Sequence, residues 1–392
     1  MEYPFQPEVL DALPEELAEL FRALEITLLE EICSRLNAAD QLNEVTVQDI
    51  RALRTHGIDL KSIEKAISDT SGISKTKLDK LLDDVVERNQ KYYTEIIDLA
   101  HITQPETLVD AAEVAAIRTQ TLDTFRNLTA SIGFLVDNGR TMLSPAKAYQ
   151  WALDNATMQI QSGAINYNQA IKTAVKELAD SGLKVVDYES GHRDQIDVAA
   201  RRAVMTGVNQ ICAKYTEQSA QYLETPYFEV SAHAGARDKP GPSPWSNHKD
   251  WQGKVYSVQT GDIYPSIYEV CGLGAVDGLE GANCRHRRNV WVEGVSERTY
   301  TDEQLEHIDD GLGCTFDGKT YTAYEATQMQ RRVERQIIKQ KRLVTAYKAS
   351  EQTDEYRAAK IKLTRLNSKY NAFSEAAKLP LQWERTKVLY DR

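Results

Sequence analysis

The sequence has no apolar run near the roughly eighteen residues that would cross a bilayer, so no helical membrane span is expected. It has few cysteines, five in 392 residues. Cys33, Cys212, Cys271, Cys284 and Cys314 are odd in number, scattered, and form no Cys-x-x-Cys pair. That excludes a disulfide framework and suits reduced thiols. Positive charge is not in excess: Lys+Arg total 47 against 58 Asp+Glu, for a net charge of −11. A basic coat spread along nucleic acid is therefore excluded. The opening MEYPFQPEVLDALPEEL is acidic and has no basic-then-apolar leader, which argues against secretion. Gly-x-x-x-x-Gly-Lys-Ser/Thr, His-Glu-x-x-His and Gly-x-Ser-x-Gly do not occur, so no P-loop, zincin or nucleophile-elbow chemistry is indicated. The run from Gly272 to Gly278 is one residue too long for a dinucleotide fingerprint and lies among loops.

Hydrophobic residues at 42% and charged residues at 27% are ordinary for a chain that folds around its own core. At this length the core needs no metal or disulfide to hold it. Charge is unevenly spread. Residues 1–110 carry 11 Lys/Arg and 23 Asp/Glu, whereas residues 325–392 carry 16 and 8. One end repels phosphate and the other attracts it, although charge runs on helices are commonly solvent-facing.

The periodicity predicts a mainly α protein with an inserted small α+β domain. Four regions are expected: an acidic helical region over 1–130, a helical body over 131–224, a loop-rich Cys/His-containing α+β domain over 225–322, and a basic antiparallel helical hairpin with its tail over 323–392. Pro14, Glu15 and Glu16 suit a helix N-terminus, and Leu17, Leu20, Leu24 and Leu28 follow at helical spacing. Further helices are predicted near 46–56, 59–70, 74–100, 106–128, 144–160 and 166–182. The strongest spans 194–224, where Ile196, Ala199, Ala200, Ala203, Val204, Gly207, Val208, Ile211, Cys212 and Tyr215 make one stripe whose small residues permit close packing. Leu183–Tyr188 reads as a short strand or an extended connector. Gly and Pro then punctuate 225–322, with β-like runs at Tyr227–Ser231, Lys254–Val258 and Arg288–Val292, and nearly all strands are expected here.

In the terminal hairpin, Val333, Ile337, Val344 and Tyr347 are predicted to face Leu363, Leu366, Tyr370 and Phe373. Ser350–Asp354 supplies the turn. Arg331, Arg335, Lys339 and Arg342 are predicted to form an outer stripe available to nucleic acid or an acidic partner, with Glu334 on another face.

One constellation carries chemistry: His233, Arg237, His248, Trp251, Gln252, Gly253, Cys271, Asn283, Cys284, Arg285 and His286. Thiolate and imidazole are zinc ligands, with Cys271, Cys284 and His286 as the candidates, but Cys284-x-His286 does not match the usual ligand spacing. A Cys-His nucleophile pair would need a thiolate, which Arg285 could favour, yet residues this close in sequence rarely face each other. The third reading is a buried polar network that satisfies the backbone of a glycine-rich domain. It asks least of the residues, and it predicts Arg237, Asn283, Arg285 and His286 close together, buried, and bonded to backbone carbonyls. No catalytic residue, metal or cofactor is expected.

The runs Val230-Ser-Ala-His233-Ala-Gly-Ala-Arg237, Trp251-Gln-Gly-Lys-Val-Tyr-Ser257, Tyr264-Pro265, Gly278-Leu279-x-Gly281-x-Asn283-Cys284-Arg285-His286 and Gly294-x-Ser296-Glu297-Arg298-Thr-Tyr300 resemble the phage minor capsid protein 2 family. So do Tyr167-x-x-Ala170-Ile171, the stretch Val198–Val208, and Tyr324-Glu325-Ala326-x-Gln328-x-Gln330-Arg331-x-x-Glu334-Arg335. The wider likeness is to the Mu F-like head-morphogenesis class. The chain departs from the pattern at Asp238–Asn247, a proline-stiffened stretch before His248. The resemblance implies a structural minor head protein of a tailed phage, made in the host cytoplasm and carried in the virion head. It implies association with the portal vertex or head interior, and a role in head morphogenesis, packaging or ejection. Implied partners are portal protein and other head proteins, with packaged DNA a further candidate and no membrane. The alternatives are an ejected effector or enzyme using the Cys/His domain, or a DNA-binding head protein using the basic hairpin.

Overall fold

A computed structural model describes residues 3–40, 61–161, 167–186, 191–281 and 284–388. After α1 (Pro7–Ala12), Glu15 and Glu16 open α2 (Glu15–Asp40) as their charge suggests. Leu17, Phe21, Leu24, Leu28, Ile32 and Leu36 bury one face of α2. The helix expected over 46–56 lies outside the described residues. In place of the two helices expected over 59–70 and 74–100, one helix, α3 (Lys61–Leu99), runs through. A Cβ added at its Gly72 would meet nothing within 4 Å, and an internal glycine costs only ~1 kcal/mol. The continuous buried face of Leu78, Leu82, Val85 and Tyr93 outweighs that cost. α4 (Ala111–Ala130) starts later than expected, where the Asp110 side chain accepts the Ala112 N–H at 2.8 Å. Ser144-Pro145 opens α5 (Pro145–Gln161), and α6 (Tyr167–Ser181) follows. The long stripe forms α7 (Ile196–Tyr222), which packs against α2, α3 and α4. Its small residues permit this approach: a Cβ on Gly207 would lie 2.5 Å from Thr121 Oγ1.

The expectation that 225–322 holds nearly all the strands is corrected. β1 (Gly133–Val136), β2 (Thr141–Leu143), β3 (Leu183–Val186) and β4 (Arg193–Gln195) form an antiparallel sheet in the order β2-β1-β3-β4. Strands of three or four residues are too short to show a period of two, and tertiary pairing decides them. The β1–β2 turn uses Asp137, Asn138 and Gly139 at φ of 55°, 53° and 80°, residue types that tolerate the left-handed region. The connector at Leu183 is a strand.

Within 225–322 all three anticipated β runs appear. β5 (Tyr227–Val230) sits centrally between antiparallel β6 (Val255–Ser257) and β7 (Arg288–Trp291). Short helices α8 (His248–Trp251), α9 (Ile267–Val270) and α10 (Asp302–Glu306) and the β8 (Cys314–Phe316)–β9 (Lys319–Tyr321) hairpin fill the rest. The fold is thus mainly α with small antiparallel sheets. Among the described residues no helix is long and apolar enough to cross a membrane.

The terminal hairpin is α11 (Ala323–Ala349), opened by a Thr322–Glu325 capping box, and α12 (Thr353–Ala376). Val333 and Ile337 pack with Tyr370, Leu363 and Leu366 as expected. Phe373 instead packs with Ala326 and Ala377, and Val344 and Tyr347 turn into the main core. The reason is that α11 also packs against α2 and α6, so its far half belongs to the body.

Asp11 joins the two ends of the chain. Its carboxylate pairs with Arg201 of α7 and Arg385 of the 3-10 turn Trp383–Thr386, with Arg331 of α11 at 3.3 Å, and with Arg285 at 3.9 Å. Burial pushes this carboxyl up, but the guanidiniums of Arg385, Arg331, Arg201 and Arg285 hold it at about 2. The unperturbed value is 3.8, so the stabilisation is present above that pH and is lost as pH falls toward about 2. A tenfold change in proton affinity corresponds to ~1.4 kcal/mol. Asp11→Asn is expected to lower the unfolding free energy by about 2 kcal/mol or more at neutral pH. Urea titrations should show the gap to the parent protein closing as the pH falls through the range from 3.8 to about 2; a gap that stays constant across that range contradicts the assignment.

Candidate functional site

The β5–β7 pairing continues past the ends of both strands. Ser231 donates its N–H to the Arg287 carbonyl at 2.8 Å, and Arg287 N–H donates to Ser231 Oγ at 2.9 Å. This sets His233 beside His286, with rings stacked 4.5 Å apart at 25°. The Trp251-Gln252-Gly253 run comes in from the end of α8. Trp251 is buried edge-on to His286 at 4.9 Å and beside His248 at 4.6 Å. Gly253 donates to the Val230 carbonyl at 3.0 Å with φ of 71°, and a Cβ there would stand 2.4 Å from Leu305 Cδ2. Glycine is thus required there by its left-handed conformation, while Leu305 crowds the same side.

Gln252 lies between the histidines. Its Oε1 accepts the His233 backbone N–H at 3.1 Å and contacts His286 Nε2 at 2.9 Å. A backbone N–H can only donate, which fixes which amide atom of Gln252 faces it. His286 Nε2 must then carry the proton, leaving the lone pair on Nδ1. Cys284 Sγ lies 3.6 Å from that Nδ1. On the other side, His248 Nε2 contacts the Asp277 carbonyl at 3.0 Å, so it too must be protonated there.

The Asp238–Asn247 stretch folds back onto the same loop. Trp245 Nε1 and Ser246 Oγ donate to the Asp277 carboxylate at 2.9 and 3.0 Å. The indole of Trp245 covers Gly272, where a Cβ would sit 2.4 Å from Trp245 Cγ. This stretch therefore delivers His248 into the cluster.

Burial drives His286 well below the ordinary imidazole range, with His233, His248 and Arg285 adding to it. Burial and Arg285 bring His233 down to about 4, and burial lowers His248. Burial pushes the Cys284 thiol up to about 11. The site thus holds neutral imidazoles beside a protonated thiol. The sequence expectation that Cys284 and His286 would not face each other is corrected, because the extended backbone leading into β7 puts alternate residues on one face.

Other expected members are placed differently. Arg237 donates to the Asp277 carbonyl at 3.4 Å. Arg285 is about a third exposed, at 34%, and reaches toward Asp11 rather than a backbone carbonyl. Asn283 lies outside the described residues. Cys271 is fully buried, which pushes its thiol up. Asp277 and Ser231, which organise the site, do not stand out in the sequence; their contributions are largely backbone geometry, which residue type does not reveal.

The basic stripe on α11 is corrected. Arg342 is buried, pairing with Glu25 at 3.1 Å and donating to Gln195 Oε1 at 3.0 Å. Lys339 pairs with Asp180 at 2.9 Å, and Arg331 with Asp11 and with Glu334 at 3.2 Å. Arg335 is exposed and, alone of the four, has no ion pair among the described residues. Single carboxylates from α1 (Asp11), α2 (Glu25), α6 (Asp180) and α11 itself (Glu334) thus meet three of the four cations.

Together these features define a mainly α protein with an inserted small α+β domain centred on a histidine cluster. The family model described as Phage minor capsid protein 2 matches residues 5–375, so the chain belongs to that family and has a structural role in phage heads. Neither the curated proteins nor the solved structures yield a match.

The histidines give a pH signature. Depressed imidazole values mean that the unfolded chain takes up protons first, so stability is complete above the ordinary value of 6.5 and falls as pH drops toward about 4. In metal-free protein, NMR should show the His233 and His286 rings still neutral at pH 6; titration of both near 6.5 contradicts their burial. For the stripe, Arg342→Gln is expected to cost about 3–5 kcal/mol, since it leaves Glu25 buried and unpaired. Arg335→Gln should cost under about 0.5 kcal/mol, both read by denaturant unfolding.

Proposed function

We propose that this chain is a minor head protein that sits at the portal vertex or on the head interior and acts in head morphogenesis, with packaging or ejection as the step it serves. The family match over nearly the whole chain carries this reading. Portal protein and other head proteins are its partners, and the virion head, assembled in the host cytoplasm, is its location. The 225–322 region serves as the head-morphogenesis domain, the helical regions 1–130 and 131–224 as its body, and 323–392 as the hairpin that locks the two. Exposed apolar side chains on that domain, Ile263, Tyr268 and Val276, favour a protein partner there.

Contact with packaged DNA is a second reading, and one observation favours it. Arg357, Lys360, Lys362 and Arg365 on α12 are exposed, so α12 rather than the α11 stripe would meet phosphate. The effector or enzyme reading draws less support, because a Cys284 thiol near 11 is a poor nucleophile at neutral pH.

Mass spectrometry of purified heads should detect this polypeptide at far fewer copies than the major shell protein, and portal protein should co-purify with it. Heads that lack it defeat the reading. Replacing Arg357, Lys360, Lys362 and Arg365 with Gln should flatten the salt dependence of DNA binding if α12 contacts phosphate.

A further inference from the structure

Three ligand-type atoms converge at the centre of the cluster. One ring nitrogen of His248, Cys284 Sγ and one ring nitrogen of His286 all lie within 4.8 Å of one another. The hydrogen bonds decide what those atoms can do. The Asp277 carbonyl takes the Nε2 proton of His248, and Gln252 Oε1 takes that of His286. Each ring is left with a lone pair on Nδ1, and the one on His286 faces the sulfur. A second partner that fixes the tautomer of an imidazole is the usual support of a metal-binding histidine. We propose that His248 Nδ1, Cys284 Sγ and His286 Nδ1 bind one divalent transition-metal ion, zinc by the chemistry of the donors.

Several observations bear on the choice of ion. Two imidazoles and a thiolate suit zinc and its neighbours and do not suit magnesium or calcium, which take oxygen ligands. Bonds of about 2.0–2.3 Å around a tetrahedral zinc put donor atoms roughly 3.3–3.8 Å apart. The 3.6 Å between Cys284 Sγ and His286 Nδ1 already lies in that range. The remaining separations, to a ring nitrogen of His248, are at most 4.8 Å, so binding requires the His248 ring to move its Nδ1 toward the other two donors. Neutral imidazoles need lose no proton to bind. The thiol must release one, and the ion takes its place on sulfur. That thiolate reduces the formal charge of the site from 2+ to 1+, which limits repulsion by Arg237 and Arg285. Cys271 is not in the group, so the ligand set differs from the one suggested by sequence, with His248 in its place. Three protein ligands leave a fourth position for water or a partner's side chain.

The ion would tie α8 to the strand entering β7, across a region with little regular structure. It would therefore stiffen the domain at the point where the Asp238–Asn247 stretch folds over it.

Cobalt(II), a spectroscopic stand-in for zinc, tests this on the full chain stripped of metal with a chelator. One equivalent should produce visible d–d bands of tetrahedral intensity and a near-ultraviolet thiolate-to-cobalt band. Cys284→Ser should lose the thiolate band. Because it exchanges a single atom at a half-buried position, it should keep the fold by circular dichroism. His248→Ala should bind at least about tenfold more weakly, and Gln252→Ala about ten- to a hundredfold more weakly, since it frees the His286 tautomer. Cys271→Ser should behave as the parent. A folded chain that shows no cobalt bands and retains no zinc overturns the proposal. So does a thiolate band that survives in Cys284→Ser or disappears in Cys271→Ser.

Discussion

The rest of the structure depends on the meeting of an acidic beginning and a basic end. Residues 1–110 and 325–392 carry opposite net charge, and α1 and α2 of the first meet α11 and the 3-10 turn of the second. Asp11 gathers Arg201, Arg331 and Arg385, with Arg285 at its edge; Glu15 pairs with Arg22 and Arg201; Glu25 meets Arg342 inside the core. Each is a buried or half-buried pair whose removal strands a charge, so together they fix one arrangement of the ends against the body more than they add net stability. Arg285 extends the same constraint into the 225–322 domain, three residues before β7.

Because that frame is fixed, the histidine cluster can be assembled from short, irregular segments. Its precision comes from donors and acceptors that have no freedom. The His233 N–H can only donate and the Asp277 carbonyl can only accept, and these two groups orient Gln252, His286 and His248 in turn. A domain poor in regular structure thereby satisfies its backbone from side chains, and in doing so leaves the His286 lone pair 3.6 Å from a thiol, with His248 nearby.

For a structural protein of phage heads, this division of labour is sensible. The helices before residue 224 and the main-core half of the hairpin share one hydrophobic core. The small domain buries most of its motif residues and exposes Ile263, Tyr268 and Val276, while Arg357, Lys360, Lys362 and Arg365 of α12 face outward. Of the charge that looked available for nucleic acid on α11, Arg331, Lys339 and Arg342 are consumed in holding the molecule together, and Arg335 stays exposed.

Much of this was legible in the residues. Stripes at helical spacing located α2, α7, α11 and α12, because a face that must be buried over several turns repeats often enough to be read, and Ser144-Pro145 marked the start of α5. Glycine, proline and β-branched runs located β5, β6 and β7. Ordered motifs identified the family, and the membership of His233, His248, Trp251, Gln252, Cys284 and His286 in one region was visible as local density. The tertiary structure alone decided the β1–β4 sheet, whose strands are shorter than any period, and the continuity of α3 through Gly72. It also decided which cations are free. Whether Arg342 meets solvent or Glu25 depends on which helix packs beside it, and those two residues are separated by most of the chain. The same holds for the site: Cys284 and His286 face each other, and His248 joins them while Cys271 does not, because long-range strand pairing and the fold of the Asp238–Asn247 stretch place them there, and no local pattern encodes either.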